Sequence, residues 1–276
     1  MKNLVVALSL ALVAQTLPAA VLYEFRQTNR SDMDSTPSTD FSGRGLLDGE
    51  RSRVEILAGN AYPPGTYVIS TNGSKTLTYV DPGMKQYFEV NNVSAASAMG
   101  ARKISIANAK HDVRKLDDHP IIAGQPTDHY RLTLDYDIIV SFGTIPLKQT
   151  VHSQIDKWTT VVFGDLTESF VSSGALRTGN AQLDELMDLE STQIKGFPLR
   201  ETEVTTTRNA RSNIAGSQLQ LAPSHTLTKE LTINSIRQAT ARPTDFVVPA
   251  AFRRVEPGAT DKKTPSSTTL SLEPAN

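Results

Sequence analysis

Thr127-Asp128-His129-Tyr130-Arg131-Leu132-Thr133-Leu134-Asp135-Tyr136-Asp137-Ile138-Ile139-Val140-Ser141-Phe142 is the stretch that sets the fold class. Tyr130, Leu132, Leu134, Tyr136, Ile138, Val140 and Phe142 hold every even position, while His129, Arg131, Thr133, Asp135 and Asp137 hold odd ones. Successive side chains of a strand point to opposite faces, so this alternation describes a long strand with one buried face. A helix would scatter the same residues around its circumference. Gly143-Thr144-Ile145-Pro146 reads as a turn, and Leu147 to Phe163 as the returning arm. Val151 and Ile155 share a face of that arm, and Trp158 changes face through a bulge. The two arms form a long antiparallel hairpin.

Working outward, the period stays at two. Val21 to Thr28 reads as a strand, and the polar run Asn29 to Asp40, with Pro37, as a loop. Gly43 to Asp48 enters an Asp-Gly turn, and Arg51 to Leu57 returns with Val54 and Ile56 on one face. Pro63-Pro64-Gly65 breaks the chain. Thr66 to Ser70 and Lys75 to Val80 flank Thr71-Asn72-Gly73-Ser74, and Asp81-Pro82-Gly83 turns the chain into Lys85 to Val90. Phe197 to Arg208 and Ser224 to Gln238 add two strands, with Leu227, Leu231 and Ile233 on one face of the second. Thr occupies 30 of 276 positions, which suits half-buried pleated surfaces. Asn180 to Lys195 is the best helix, with Leu183, Leu186, Met187, Leu189 and Ile194 as its apolar stripe and Gly196 as its stop. A weaker helix covers Val93 to Ala101.

The count is about ten strands and one or two helices. Adjacent strands without alternating helices predict antiparallel sheet. The expected class is mainly β (α+β): a single strongly curved antiparallel sheet, or unclosed β-barrel, covered by one or two helices.

The ends read differently. Met1-Lys2-Asn3, the apolar run Leu4 to Ala14, and Pro18-Ala19-Ala20 form the three-part pattern of a cleavable export signal. The run is shorter than the roughly 20 residues a membrane helix needs, so no transmembrane segment is expected after cleavage at Ala19 or Ala20. No Cys follows to carry a lipid anchor. Residues 255 to 276 are rich in Thr, Ser and Pro without apolar period, the composition of a disordered tail. The expected organisation is a signal peptide at 1–20, one domain at 21–254 and the tail at 255–276.

Composition removes several function classes. The 28 basic and 29 acidic residues give a net charge of −1, leaving no electrostatic footprint for nucleic acid. The absence of Cys removes disulfides, thiolate metal sites and a thiol nucleophile. No pair among His111, His119, His129, His152 and His225 has helical metal-ligand spacing. His129 and His152 fall on facing strands of the hairpin and read as exposed polar positions. Asp117-Asp118 reads as a solvated turn. Nucleophile-elbow, P-loop and dinucleotide fingerprints are missing, so no catalytic residue, metal or cofactor is expected. What accumulates instead is aromatic and aliphatic surface on sheet faces, and a curved sheet with few helices can leave part of it as an apolar cavity.

Three groups of residues carry a family resemblance. They are Gly45-Leu46-Leu47-Asp48-Gly49-Glu50-Arg51-Ser52-Arg53, Tyr67 to Gly73 with Leu77 to Pro82 and Gln86-Tyr87, and the closing Gly196 to Leu199 and Phe246 to Pro249. The first two groups resemble the first half of the lipoprotein-carrier (LolA/LolB-like) superfamily. Closer still is a group of uncharacterised exported bacterial proteins of that fold, which the third group, Gly124 to Tyr130 and the Trp158 strand also fit. The carriers begin with an amphipathic helix, whereas this chain starts directly in a strand and lacks that part of the lid. The resemblance implies an unclosed barrel with a helical lid in the Gram-negative periplasm, holding a lipid or acylated ligand without catalysis. The cavity candidates are Tyr67, Ile69, Tyr79, Tyr130, Leu132, Leu134 and Tyr136. The competing expectation is an envelope structural or sensor module that engages a protein partner and no small molecule.

Overall fold

The computed structural model describes residues 20–33, 36–73, 75–91, 103–142, 145–163, 181–209, 212–214, 217–219 and 224–256. In chain order the strands are β1 (Ala20–Ser31), β2 (Thr39–Asp48), β3 (Arg51–Gly59), β4 (Tyr67–Ser70), β5 (Thr76–Asp81) and β6 (Gln86–Asn91). They continue with β7 (Lys103–Leu116), β8 (Ile121–Ile122), β9 (Gln125–Pro126), β10 (Asp128–Phe142) and β11 (Ile145–Thr160). After helix α1 (Ala181–Gln193) come β12 (Phe197–Asn209), β13 (Ser212–Ile214), β14 (Ser217–Leu219), β15 (His225–Ala239) and β16 (Arg253–Arg254).

Twelve of these strands make one sheet, ordered β16-β6-β5-β4-β3-β2-β1-β15-β12-β11-β10-β7. Its edges, β16 and β7, do not pair with each other, so the sheet is an unclosed barrel, as expected. β8–β9 and β13–β14 are short separate ribbons. The founding hairpin is present: Leu132 faces Ile155 and Tyr136 faces Val151 across β10 and β11. Its turn is tighter than the sequence suggested, because Ile145 and Pro146 already pair with Phe142 and Ser141.

Several boundaries differ from expectation. Asn29 to Ser31 and Thr39 to Asp40 are strand, so the loop after β1 is shorter. β7 has no counterpart among the expected strands; it is a charged outer strand, a composition that blunts sheet edges. Leu227 is 40% exposed, although its parity matches buried Leu231 and Ile233. It sits opposite Ser31 and Thr205, at the open end of the sheet. The export signal up to residue 19, the weaker helix at 93–101 and the tail from residue 257 lie outside the described residues.

Directly paired residues on neighbouring strands share a face, so facing can be followed across the sheet. The inner face carries the main core: Val21, Tyr23 and Phe25 of β1, Val54 and Ile56 of β3, Phe197 and Leu199 of β12, Leu231 and Ile233 of β15. Tyr23 pairs with Gly45 and Phe25 with Gly43, and the two rings lie over the bare glycine backbones. The outer face carries a smaller cluster of Tyr67, Ile69, Val80 and Phe246. A strap from Pro243 to Arg254 covers it. The Arg51 guanidinium lies 5.0 Å from the Phe246 ring centre, and Arg253 N–H donates to Lys85 C=O at 2.9 Å.

Curvature comes from bulges, which bend a strand and raise its twist. One falls at Glu24/Phe25 in the β1–β15 ladder and brings both Ile233 and Ile236 inward. Another falls at Asp135/Asp137 in the β10–β7 ladder, with Asn108 at φ +54°. Buried Asp137 anchors it, accepting from Asn108 Nδ2 at 2.6 Å and Thr150 Oγ1 at 2.7 Å, with Lys148 Nζ at 2.8 Å. Lys148, then Asn108 and Thr150, hold its carboxyl at about 2.

Helix α1 lies where the sequence placed it. Gly196, at φ +93°, follows it in the left-handed region. Leu186 and Ile194 are buried, and Ile194 packs on Leu132 and Ile155. Gln182 Oε1 accepts from Ile106 N–H at 3.2 Å, tying the helix to β7.

Candidate functional site

The seven cavity candidates fall on two faces. Tyr67 and Ile69 are on the outer face under the strap, with the Arg53 guanidinium 3.8 Å from the Tyr67 ring centre. Ile69 borders an open groove of about 490 Å³ shared with Thr78, Glu89 and Phe246. Tyr79, Tyr130, Leu132, Leu134 and Tyr136 are on the inner face, as their pairing with Val68, Lys157, Ile155, Ser153 and Val151 shows. Tyr79 is on β5, eight strands from β10 in the order of the sheet. It stacks on Phe88 at 4.9 Å, and burial, with Tyr62 adding, pushes its hydroxyl up to about 12.

The remaining four form an inner-face wing on β10, flanked by β7 and β11. Leu132 is fully buried beneath Ile194, Ile155 and Val113. Tyr130, Leu134 and Tyr136 are half-buried. Burial, with Glu203 adding, raises the Tyr136 hydroxyl above its ordinary value.

The charged floor of the sheet was missed in the sequence. Lys157 Nζ lies 2.7 Å from Glu201 Oε2, and Lys229 Nζ lies 2.8 Å from Glu201 Oε1. Lys157 and Glu201 are 4% exposed. Burial alone would raise the Glu201 carboxyl, yet Lys157 and Lys229 outweigh it and hold it at about 2. Burial alone would lower Lys229; Glu201 and Glu203 outweigh it and the ammonium is raised. The signal existed: Glu201 continues the inward parity of Phe197 and Leu199, Lys157 that of Ile155, and Lys229 that of Leu231. A charge on a buried parity needs a partner.

His129 is also not where it was expected. It is 5% exposed, stacked on Trp158 at 4.1 Å, and in register with Trp158 rather than His152. Asp118 Oδ1 lies 2.6 Å from its Nδ1 and Asp156 Oδ1 3.0 Å from its Nε2. A ring N–H donates to the carboxylate it faces. The Asp117-Asp118 turn is therefore a clasp: the Asp118 carboxylate also accepts from Trp158 Nε1 at 3.4 Å. His129, ahead of Trp158, holds Asp118 below its ordinary value. The clasp ties the loop carrying Ile122, a main-core residue, to the hairpin. His129→Leu is expected to cost about 2 kcal/mol, the loss of two charge-assisted bonds net of the added apolar contact. Thermal denaturation reads it; an unchanged midpoint would contradict the clasp.

Among the described residues no group of His, Cys, Asp or Glu could hold a metal ion. No described helix is long and apolar enough to cross a membrane.

The class so defined is a mainly β protein built on one unclosed sheet, antiparallel except where β16 pairs with β6 in parallel, with an apolar wing and a charged floor on its inner face. No known family profile and no curated protein sequence matches the chain. Its fold is similar to that of an uncharacterised conserved protein from Thermus thermophilus. That likeness is 8% identical, covers 87% of this chain and 91% of that one, and has a TM-score of 0.38. The fold is also similar to that of a LolA superfamily protein from Nitrosomonas europaea, 10% identical over 83% of this chain and 90% of that one, TM-score 0.32. Both are likenesses of fold and name no ligand for this chain.

Proposed function

We propose that the protein is an exported, periplasmic, non-catalytic binding protein that takes a lipid or acylated ligand on the inner face of the β7–β10–β11 wing, beside α1. One observation carries the reading: Ile194, which follows α1, buries Leu132 together with Ile155, while Leu134, Tyr130 and Tyr136 on the same face remain only half-covered. Apolar surface next to a partial helical cover suits an acyl chain, each CH₂ contributing about 0.8 kcal/mol on burial.

The test is titration of a fluorescently labelled fatty acid into the purified chain, with native mass spectrometry for co-purified lipid. Saturable binding is expected. Leu134→Asp should weaken it about tenfold or more, because a carboxylate on the wing meets the acyl chain unpaired. Wild-type protein without probe binding or lipid would overturn the proposal and leave the envelope interaction module as the better account.

A further inference from the structure

Beside the wing, the inner face changes character. Following the pairing from β1 through β15 and β12 to β11 gives Asn29, Lys229, Glu203, Ser153, Thr205 and Asn209 on that face. All are partly or fully buried. Thr205 Oγ1 lies 2.9 Å from Ser153 Oγ and 3.0 Å from Glu203 Oε1. Asn29 Nδ2 donates to Thr39 Oγ1 at 2.8 Å. Asn209 stands out, since both its amide nitrogen and its amide oxygen are buried without a hydrogen-bond partner among the described residues. A buried amide with neither donor nor acceptor satisfied costs stability, and such a group calls for an explanation.

The charges of this strip are already matched: Lys157 and Lys229 stand against Glu201 and Glu203. Among the described residues of the strip no surplus cation is left for a phosphate or carboxylate. The remaining groups are amides and hydroxyls that both donate and accept, and the complementary ligand groups are hydroxyls, which do the same. Leu134 of the wing pairs directly with Ser153 of the strip, so the two adjoin.

We infer that the strip is the headgroup half of the site, and that the headgroup it takes is uncharged and hydroxyl-rich, as on a glycolipid. This rests on the acyl-binding reading of the wing. Asn209 is the specificity-determining residue, supplying one donor and one acceptor to adjacent hydroxyls.

The experiment is displacement of the labelled fatty acid by dodecyl maltoside, dodecanoate, dodecyl phosphate and free maltose, each below its micellar concentration. Dodecyl maltoside should bind about tenfold more tightly than dodecanoate, with maltose alone far weaker. Asn209→Leu should remove that preference and leave dodecanoate binding unchanged. The same variant should raise Tm by about 2–4 °C, because an unpartnered buried amide is replaced by an apolar group. Equal binding of the three dodecyl compounds overturns the inference while sparing the acyl site. Preference for dodecyl phosphate overturns it in favour of charge recognition by the lysines, and maltose binding as tightly as dodecyl maltoside overturns the coupling of the two halves. A fall in Tm for Asn209→Leu assigns the residue a structural role and overturns it too. If no dodecyl compound binds, both this inference and the acyl reading fall.

Discussion

Gly45→Ala is expected to destabilise the fold by about 3 kcal/mol, lowering Tm by about 6–12 °C. The cause is the Tyr23 ring. A Cβ at position 45 would fall inside the ring's Cζ, Cε1 and hydroxyl. The ring has no room to retreat: Tyr23 is 0% exposed, edge-on to Phe197 at 5.2 Å and 6.0 Å from Phe25. The same device repeats one step along, where a Cβ on Gly43 would come within 2.7 Å of the Phe25 ring. An aromatic ring covering a strand glycine restores the burial that the missing side chain forgoes.

A second glycine provides the contrast. Gly49 sits in the β2–β3 turn at φ +60° with nothing within 4 Å of an added Cβ. Gly49→Ala therefore meets only the left-handed backbone penalty, about 1 kcal/mol. Chemical denaturation of both variants separates the mechanisms, and a Gly45→Ala cost no larger than that of Gly49→Ala would sink the packing account. A double-mutant cycle tightens it further. In a Tyr23→Ala background, Gly45→Ala should be neutral, since the clash and the covering ring are gone together.

The strands of this sheet were legible wherever parity ran unbroken, as in Thr127–Phe142 and Arg51–Leu57. Parity failed as a guide where a bulge reset the phase. In β7, Ile106 and Val113 both face inward although they are an odd number of residues apart, because Asn108 and Ala109 together oppose Tyr136. That phase slip, on a charged edge, hid the strand. Within one strand the sequence told which residues share a face; it could not carry that sense across a loop. Tyr67 pairs with Val80, so Tyr79 points the other way, and the candidate cavity divided between two faces. The burial of His129 was hidden for another reason. Its parity is outward, and it is covered by the stacked Trp158 ring and by the return of Asp118 from a loop eleven residues earlier. The charged floor was legible in principle, as charges at inward parity, but reading it needed the three strands aligned side by side.

Glu201→Leu is expected to cost about 3–5 kcal/mol, the usual consequence of removing one member of a buried ion network and leaving its partners behind. Lys157 and Lys229 would lose the carboxylate they share. The network also sets an acid limit. The Glu201 carboxyl lies at about 2 in the folded protein against an ordinary 4.5. Its stabilisation, about 3 kcal/mol, is complete above pH 4.5 and is lost as pH falls toward 2, because the unfolded chain takes up the proton first. Asp137, also held at about 2, acts in the same direction. Lys229, raised in the folded state, adds stability that is full below 10.5 and lost as pH climbs beyond it. Denaturant unfolding from pH 7 to pH 2 should show a shallower acid loss in Glu201→Gln than in wild type; superimposable profiles would disprove the linkage.

Stability and recognition can then be separated. Replacing all three charges together, as Lys157→Met, Glu201→Leu and Lys229→Met, removes every desolvated ion of the network at once. Such replacements are often neutral or stabilising by about 1–4 kcal/mol. If the network exists only to hold β11, β12 and β15 in register, the triple variant should bind every amphiphile as wild type does. If the floor is polar for a headgroup, the variant should stay folded, keep or gain affinity for dodecanoate on the enlarged apolar surface, and lose its preference for dodecyl maltoside. A folded triple variant with the preference intact would confine recognition to Asn209 and its hydroxyl neighbours and reduce the ions to a structural role.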